Sequence, residues 1–405
     1  MSIKDIKQQE TNFIVEKKDN YSKIEVEIGD IKQVDFFPQA KLKYWDNECN
    51  FSIRYNKDPD GTYELIDNKV KWSSKDGKKK VHMYELEGYE DGGFEIEVEL
   101  LEKPSSNIIE YSLQTKELDF RFQSEDIIKS ITKTFQEVPE NVIGSYAVYH
   151  KTKRNNYNDK NGNPVGNQYR TGKAFHIYRP EAIDNEGNKI WCDLNIDDGN
   201  NLLTIIVPQK YLDNAIYPVI VDPTFGYTSQ GSVKIDGYTN EVYGQIGTSG
   251  GTAGEADSVH YYGSTSFTPI KGFISLTSTG DILTNGIAGI SEEYGSDWYS
   301  LSFSTKPTIT ASTGYTTCFV SSGDSADFYA DGGGSSGWRI DDSNSYSSPQ
   351  SIGSSPTNGG ADMSIYTTYT ETVSGWTHTI NGVTAANMSY VNGVAKADID
   401  EIDGV

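Results

Sequence analysis

At 405 residues the chain is long enough for two or three domains, each burying its own core. A formal net charge of −23 weighs against a nucleic-acid partner, which needs clustered Lys and Arg, and no apolar run approaches the roughly 20 residues that span a bilayer. Hydrophobic residues make up only 36%, yet 12% are aromatic, with 27 tyrosines and abundant Gly, Ser, Thr and Asn, which is the composition of an all-β protein with many hairpins.

Residues 1–18 read as a polar N-terminal arm without clear periodicity, and the opening MSIKDIKQQETNF lacks the apolar stretch of a secretory signal. From Tyr21 the pattern alternates with period two. Ile24, Val26 and Ile28 oppose Lys23, Glu25 and Glu27, as a half-buried strand requires. The same signature runs through Phe94, Ile96, Val98 and Leu100 against Glu95, Glu97 and Glu99, and again through Leu118, Phe120 and Phe122. Turn pairs separate the strands: Asp60-Gly61, Asp76-Gly77, Asn161-Gly162, Glu186-Gly187 and Asp198-Gly199. Only Ser124–Phe135 carries a plausible helical face.

A β-sandwich domain is expected over residues 19–223, in one unit or in two split near residue 139. Its boundary falls at Asp222-Pro223, after the apolar run Tyr217–Val221. Composition then shifts: residues 224–375 hold four basic residues against fifteen acidic ones and are rich in Ser, Thr, Gly and Tyr. Short strands are predicted at Ser258–Tyr262, Lys271–Leu276, Trp298–Phe303, Tyr315–Val320 and Ser364–Tyr369, which suits a second, jelly-roll-like sandwich. Residues 376–405 form a repeat tail of period 11: Ile380-Asn381-Gly382-Val383 returns as Val391-Asn392-Gly393-Val394 and as Ile402-Asp403-Gly404-Val405. So short an array buries little surface alone. Ile380, Gly382, Val383, Val391, Gly393, Val394, Ile402, Gly404 and Val405 are therefore the expected assembly contacts.

Candidate chemistry is sparse. Cys49, Cys192 and Cys318 are odd in number and far apart, which reads as three free, mostly buried thiols. His82, His150, His176, His260 and His378 show no metal-binding spacing, and His150 and His176 read as structural. Gly323-Asp324-Ser325 matches the start of a lipase-type nucleophile motif but lies in an all-β segment, so no catalytic residue is assigned. Asn56, Asp58, Asp60 and Gly61, with Asp67 at the twelfth position, have calcium-loop spacing. Their strand-like flanks and Pro59 read instead as hairpin chemistry, the preferred reading. Asp324, Asp327 and Asp331 form a weaker acidic cluster, while Lys78–Lys80 and Lys151–Arg154 read as solvated loop charges. No cofactor is expected beyond the calcium candidate. Trp298, Trp338 and Tyr346 could stack on sugar faces or fill a core, the core being preferred.

Two longer stretches carry a resemblance. Ile143–Pro180 contains IGSYAVYH and TGKAFHIYRP, and Leu203–Thr224 ends in YPVIVDPT. This ending resembles the sandwich that closes on a YPV-x-x-DPT strand in bacterial wall-associated and Rhs-type surface proteins, and is also similar to uncharacterised phage proteins. The INGV-type tail resembles short repeats at the ends of phage structural proteins. The resemblance implies a virion or surface role, and the expected absence of an export signal favours a phage protein made in the host cytoplasm. A capsid decoration, head fibre or tail-associated projection follows, docked to other virion proteins. It is expected to form a homo-oligomer, with a trimer the first candidate. The alternatives are a carbohydrate-binding surface adhesin module, touching host glycan, and a tail-associated polysaccharide depolymerase.

Overall fold

The computed structural model describes residues 6–18, 23–29, 38–56, 61–132, 138–266, 268–291, 294–334, 338–339, 344–353, 360–372, 379–380, 383–384, 390–391 and 394–395. Strand makes up 56% and helix 4%, in several antiparallel sheets consistent with sandwich domains, as the composition implies.

Alternating sequences build the first sandwich. Its first sheet runs in the order Lys7–Gln9, Asn12–Lys18, Lys23–Ile28, Gln39–Tyr44, Cys49–Tyr55, Ile108–Lys116, Leu202–Ile206 and Asp193–Asp197. The second sheet branches at Gly93–Leu100. Lys79–Leu86 pairs along one edge of that strand, while Thr224–Gly226 and Val219–Asp222 share the other. Phe51 of the first sheet meets Phe175 and Phe225 of the second at centroid distances of 5.5 and 5.6 Å, so aromatic rings fill the gap between sheets.

The second sandwich is built around Gly254–Ser266, which pairs with Tyr294–Ser302 and Ile365–Glu371. The facing sheet orders Ile282–Ser291, Ile270–Leu276, Gly314–Ser321, Val242–Thr248 and Trp338–Arg339. Phe319 packs against Tyr261 and Phe328 of the opposite sheet at 5.6 and 4.0 Å. All five short strands predicted here are present.

Several expectations need correction. The polar arm is partly sheet: Asn12–Lys18 pairs with Lys23–Ile28 and buries Phe13 and Val15. The boundary at residue 223 cuts through the first sandwich, because Thr224–Gly226 pairs with Gly93–Leu100 and Tyr227 joins the first core. The helix is shorter than predicted, Glu125–Ile131, capped by Ser124 accepting from the Ile127 amide, and a second helix, Gln209–Asn214, was not anticipated. Glu95 and Glu97 are not on a wet face: they are 3% and 9% exposed, beneath His82, Tyr84 and Thr224. In the tail, Ile380 pairs with Val383 and Val391 with Val394, each an antiparallel hairpin pairing. Gly382, Gly393, Ile402, Gly404 and Val405 lie outside the described residues, as do the side chains of Ile380, Val383, Val391 and Val394.

The sandwiches interlock rather than sit in line with few contacts. Ile128, Ile131 and Val142, from the first part of the chain, belong to the second core. Asn156–Asn158 adds to the second sandwich as a parallel partner of Ile365–Glu371.

Candidate functional site

Two polar features lie where the sandwiches meet: a buried seam and, beside it, an open groove.

The seam begins at the strand Lys173–Ile177, buried along its whole length. The Lys173 Nζ lies 2.7 Å from Asp331 Oδ2, with both side chains 0% exposed, and also donates to the carbonyl of Gln230 at 2.9 Å and to Ser232 Oγ at 3.3 Å. Asp331 accepts further bonds from Tyr149 Oη (2.8 Å) and the Ser232 amide (2.9 Å). Burial alone would raise the Asp331 carboxyl, but the Lys173 charge and these donors bring it below its ordinary value. A charged pair so fully bonded is the form in which burial is tolerable. His176 sits between Ser145 Oγ (2.6 Å) and Ser232 Oγ (3.0 Å), and burial, helped by Lys173, pulls it down to about 3, so the ring is neutral.

Around this centre Arg121 pairs with Asp362, Arg154 lies 3.6 Å from the same carboxylate, and Gln245 donates to it at 3.1 Å. Gln123, fully buried, bonds both backbone groups of Gly332, accepting from its amide (2.8 Å) and donating to its carbonyl (3.0 Å). Gly332 is needed there, since a Cβ would lie 2.3 Å from Ile127 Cγ2 of the docked helix.

The groove, about 770 Å³ in volume, opens on the outer face of the second sandwich. Val259 and Tyr261 point into the core, so the intervening His260 points outward, and the register sets it between Ser300 and Tyr366. The His260 and Tyr366 rings stack at 4.5 Å and 6°, and Trp298 follows at 5.3 Å from Tyr366. Nε2 of His260 is bonded to Ser258 Oγ (2.8 Å) and Thr368 Oγ1 (3.0 Å), and burial, with Arg170 nearby, pulls it down to about 4. Trp298 Nε1 donates to Glu90 Oε1 at 3.2 Å, and Arg170 binds the same oxygen at 2.5 Å. Lys306 pairs with Asp257 at 2.5 Å on one wall, and the loop carrying Asn158 and Lys160 forms another.

Of the three aromatic candidates only Trp298 lines this groove. Tyr346 packs with Val242 and Phe273 on the outer face of the opposite sheet, beneath Lys271. Trp338 lies on that same sheet, paired with Gln245, and its side chain is outside the described residues. His260, Tyr366, Arg170 and Lys306 were missed. The period-two pattern of Ser258–Tyr262 already turns His260 outward, but nothing in it reveals its neighbours.

The calcium spacing does not make one loop. The strand Gly61–Ile66 separates its halves, and six residues of strand span about 20 Å. Asp67 forms the hairpin turn beyond that strand, with φ 52°, and the Asn56 carboxamide accepts from Ser112. Asp58 and Asp60 lie outside the described residues. Among the described residues no three His, Cys, Asp or Glu gather as round a metal ion. Asp324 caps Thr239, Asp327 pairs with Lys234 and Asp331 belongs to the seam, so the second acidic cluster disperses. Gly323-Asp324-Ser325 joins two strands, not a strand to a helix. Lys78 makes an exposed pair with Glu102, but Lys80 pairs with the half-buried Glu99 from the strand Lys79–Leu86, and Arg154 departs further from the solvated reading by entering the seam. His150 is structural, accepting at Nδ1 from the Thr152 and Lys153 amides. All three cysteines are free and buried, and burial pushes Cys49 and Cys192 up to about 12. Among the described residues no helix is long and apolar enough to cross a membrane.

Comparison with protein-family models and with curated proteins gives no match.

Proposed function

We propose that this chain is a non-enzymatic structural protein of a bacteriophage particle, serving as a capsid decoration, head fibre or tail-associated projection with an attachment role. The observation that carries this reading is the seam. Lys173 and Asp331, Gln123 and Gly332, and Arg121 and Asp362 tie two sandwiches into one stiff unit, with charges placed where water cannot loosen them. A projection from a particle needs that stiffness, and a separate device for joining copies. The hairpin tail supplies the second, because two short hairpins have little surface of their own to bury and gain most by packing on a neighbouring copy. Homo-oligomers about a symmetry axis, a trimer first among them, and contact with other virion proteins follow from this reading.

Light scattering with negative-stain imaging tests it, on the full chain and on a variant lacking residues 376–405. An elongated oligomer that becomes a monomer on truncation supports the projection, whereas a compact monomer indifferent to truncation overturns it. The second reading, a carbohydrate-binding surface module, is favoured by the groove at Trp298, and binding to a glycan array by that compact monomer would select it.

A further inference from the structure

We propose that Lys173 and Asp331 condense into an intramolecular amide, a covalent cross-link that the folded chain forms on itself and that fastens the first sandwich to the second. The inference goes beyond a structural role in a particle and does not depend on it.

Geometry carries it. Other lysine–carboxylate pairs among the described residues stay wet on at least one side, as Lys234 with Asp327 and Lys306 with Asp257 do, whereas both side chains of this pair are 0% exposed. Arg121 and Asp362 are buried too, but a guanidinium keeps its proton and is no nucleophile. An amine can be one. The Lys173 ammonium has three protons and three acceptors: Asp331 Oδ2 at 2.7 Å, the Gln230 carbonyl at 2.9 Å and Ser232 Oγ at 3.3 Å. The last two hold the nitrogen in place, so a proton passed to Oδ2 leaves a lone pair facing the carboxyl group. Burial pulls the amine below its ordinary value. Burial also raises the Asp331 carboxyl, and the ammonium is the chief force drawing it down, so one transfer within the pair discharges both groups. The carboxyl is prepared as well. Oδ1, where negative charge develops on addition, accepts from the Ser232 amide at 2.9 Å, and Oδ2, the oxygen that leaves, accepts from Tyr149 Oη at 2.8 Å.

The step balances without a further reagent. Nζ bonds to Cγ and the Cγ–Oδ2 bond breaks. Two of the ammonium protons depart on Oδ2 as water, and the third stays on the amide nitrogen. Groups held in one reactive geometry behave as if at a concentration on the order of 10⁵ M or more. A dry site favours the product, because a neutral amide carries none of the desolvation cost of two ions.

Intact-mass spectrometry of the denatured full chain reads the reaction directly. The chain, with or without Met1, should be lighter than its sequence by one water, about 18 Da, and a peptic digest should contain a branched peptide joining Lys173 to Asp331. Lys173→Arg and Asp331→Ala should each show the full mass of the variant sequence, a readout that needs no folded protein. Tyr149→Phe should leave part of the chain uncondensed, seen as two masses. The full sequence mass in the unsubstituted chain overturns the cross-link. So does a lost water that maps to a cyclised Asp-Gly pair, such as Asp76-Gly77, with Lys173 unmodified. A monomer that carries the branched peptide removes the particle projection and leaves the cross-link standing, and an elongated oligomer of full mass does the reverse.

Discussion

At the scale of single residues the stability of the molecule is concentrated in a few buried charges. Removing one partner of a buried pair strands the other, at a cost of about 3–5 kcal/mol. Asp331→Ala should therefore lower unfolding stability by that amount, read by urea denaturation, and Lys173→Met in the same chain should recover much of it. Glu95 sets a pH dependence. Burial, with Asp222 next to it, raises its carboxyl to about 8, and Asp222 itself rises to about 6. An acid with a raised folded pKa holds its proton more tightly in the fold, so its contribution is complete below about pH 4.5 and is lost as pH climbs to about 8. Glu95→Gln should flatten the decline in stability between pH 5 and 8.5, and an unchanged slope would refute the assignment. His176 acts in the opposite direction. Held neutral with a pKa of about 3, it costs stability as pH falls from 6.5 toward that value, so the two groups oppose each other where their windows overlap, and the optimum lies in that overlap.

At the scale of elements, local pattern reaches only as far as local contacts. Ile24, Val26 and Ile28, or the strand through Tyr261, were legible because alternation is a property of neighbours in sequence. Lys7–Gln9 was not, since its burial pattern is exposed throughout and it holds its place by pairing alone. The seam was invisible for a different reason. Tyr149 and Asp331 are 182 residues apart, and Gln123 and Gly332 are 209 apart, so no window of sequence contains either pair. The groove was half legible, through Trp298, because an aromatic residue on a strand declares its type but not its face or company. Glu95 and Glu97 mislead by the same logic, since a charged alternation predicts water on that face and a second layer of side chains covers it instead. The Gln123 amide can be tested directly. Gln123→Ala leaves the Gly332 amide and carbonyl unsatisfied, which should cost about 2 kcal/mol and loosen the helix Glu125–Ile131, read by hydrogen exchange at Ile128 and Ile131.

At the scale of the whole molecule, the division at residue 223 suggested by composition is not a place to cut. A fragment ending there lacks Thr224–Gly226, the strand that completes the second sheet beside Gly93–Leu100, and it exposes Lys173 without its partner. It should show poor dispersion in its amide NMR spectrum and bind hydrophobic dyes, whereas a well-dispersed spectrum would mean that the first sandwich folds alone.

The parallel pairing of Asn156–Asn158 with Ile365–Glu371 has a mechanical consequence. A chain whose early residues are stitched into its late sheet cannot be drawn out one bead at a time. Tension applied between residues 6 and 372 loads the stitch and the buried charges together, in shear, before either sandwich can unravel. Stretching single molecules with an optical trap should therefore give one large rip rather than two smaller ones. Replacing Asn156–Asn158 with glycines, which weakens the stitch and keeps the chain intact, should split that rip in two.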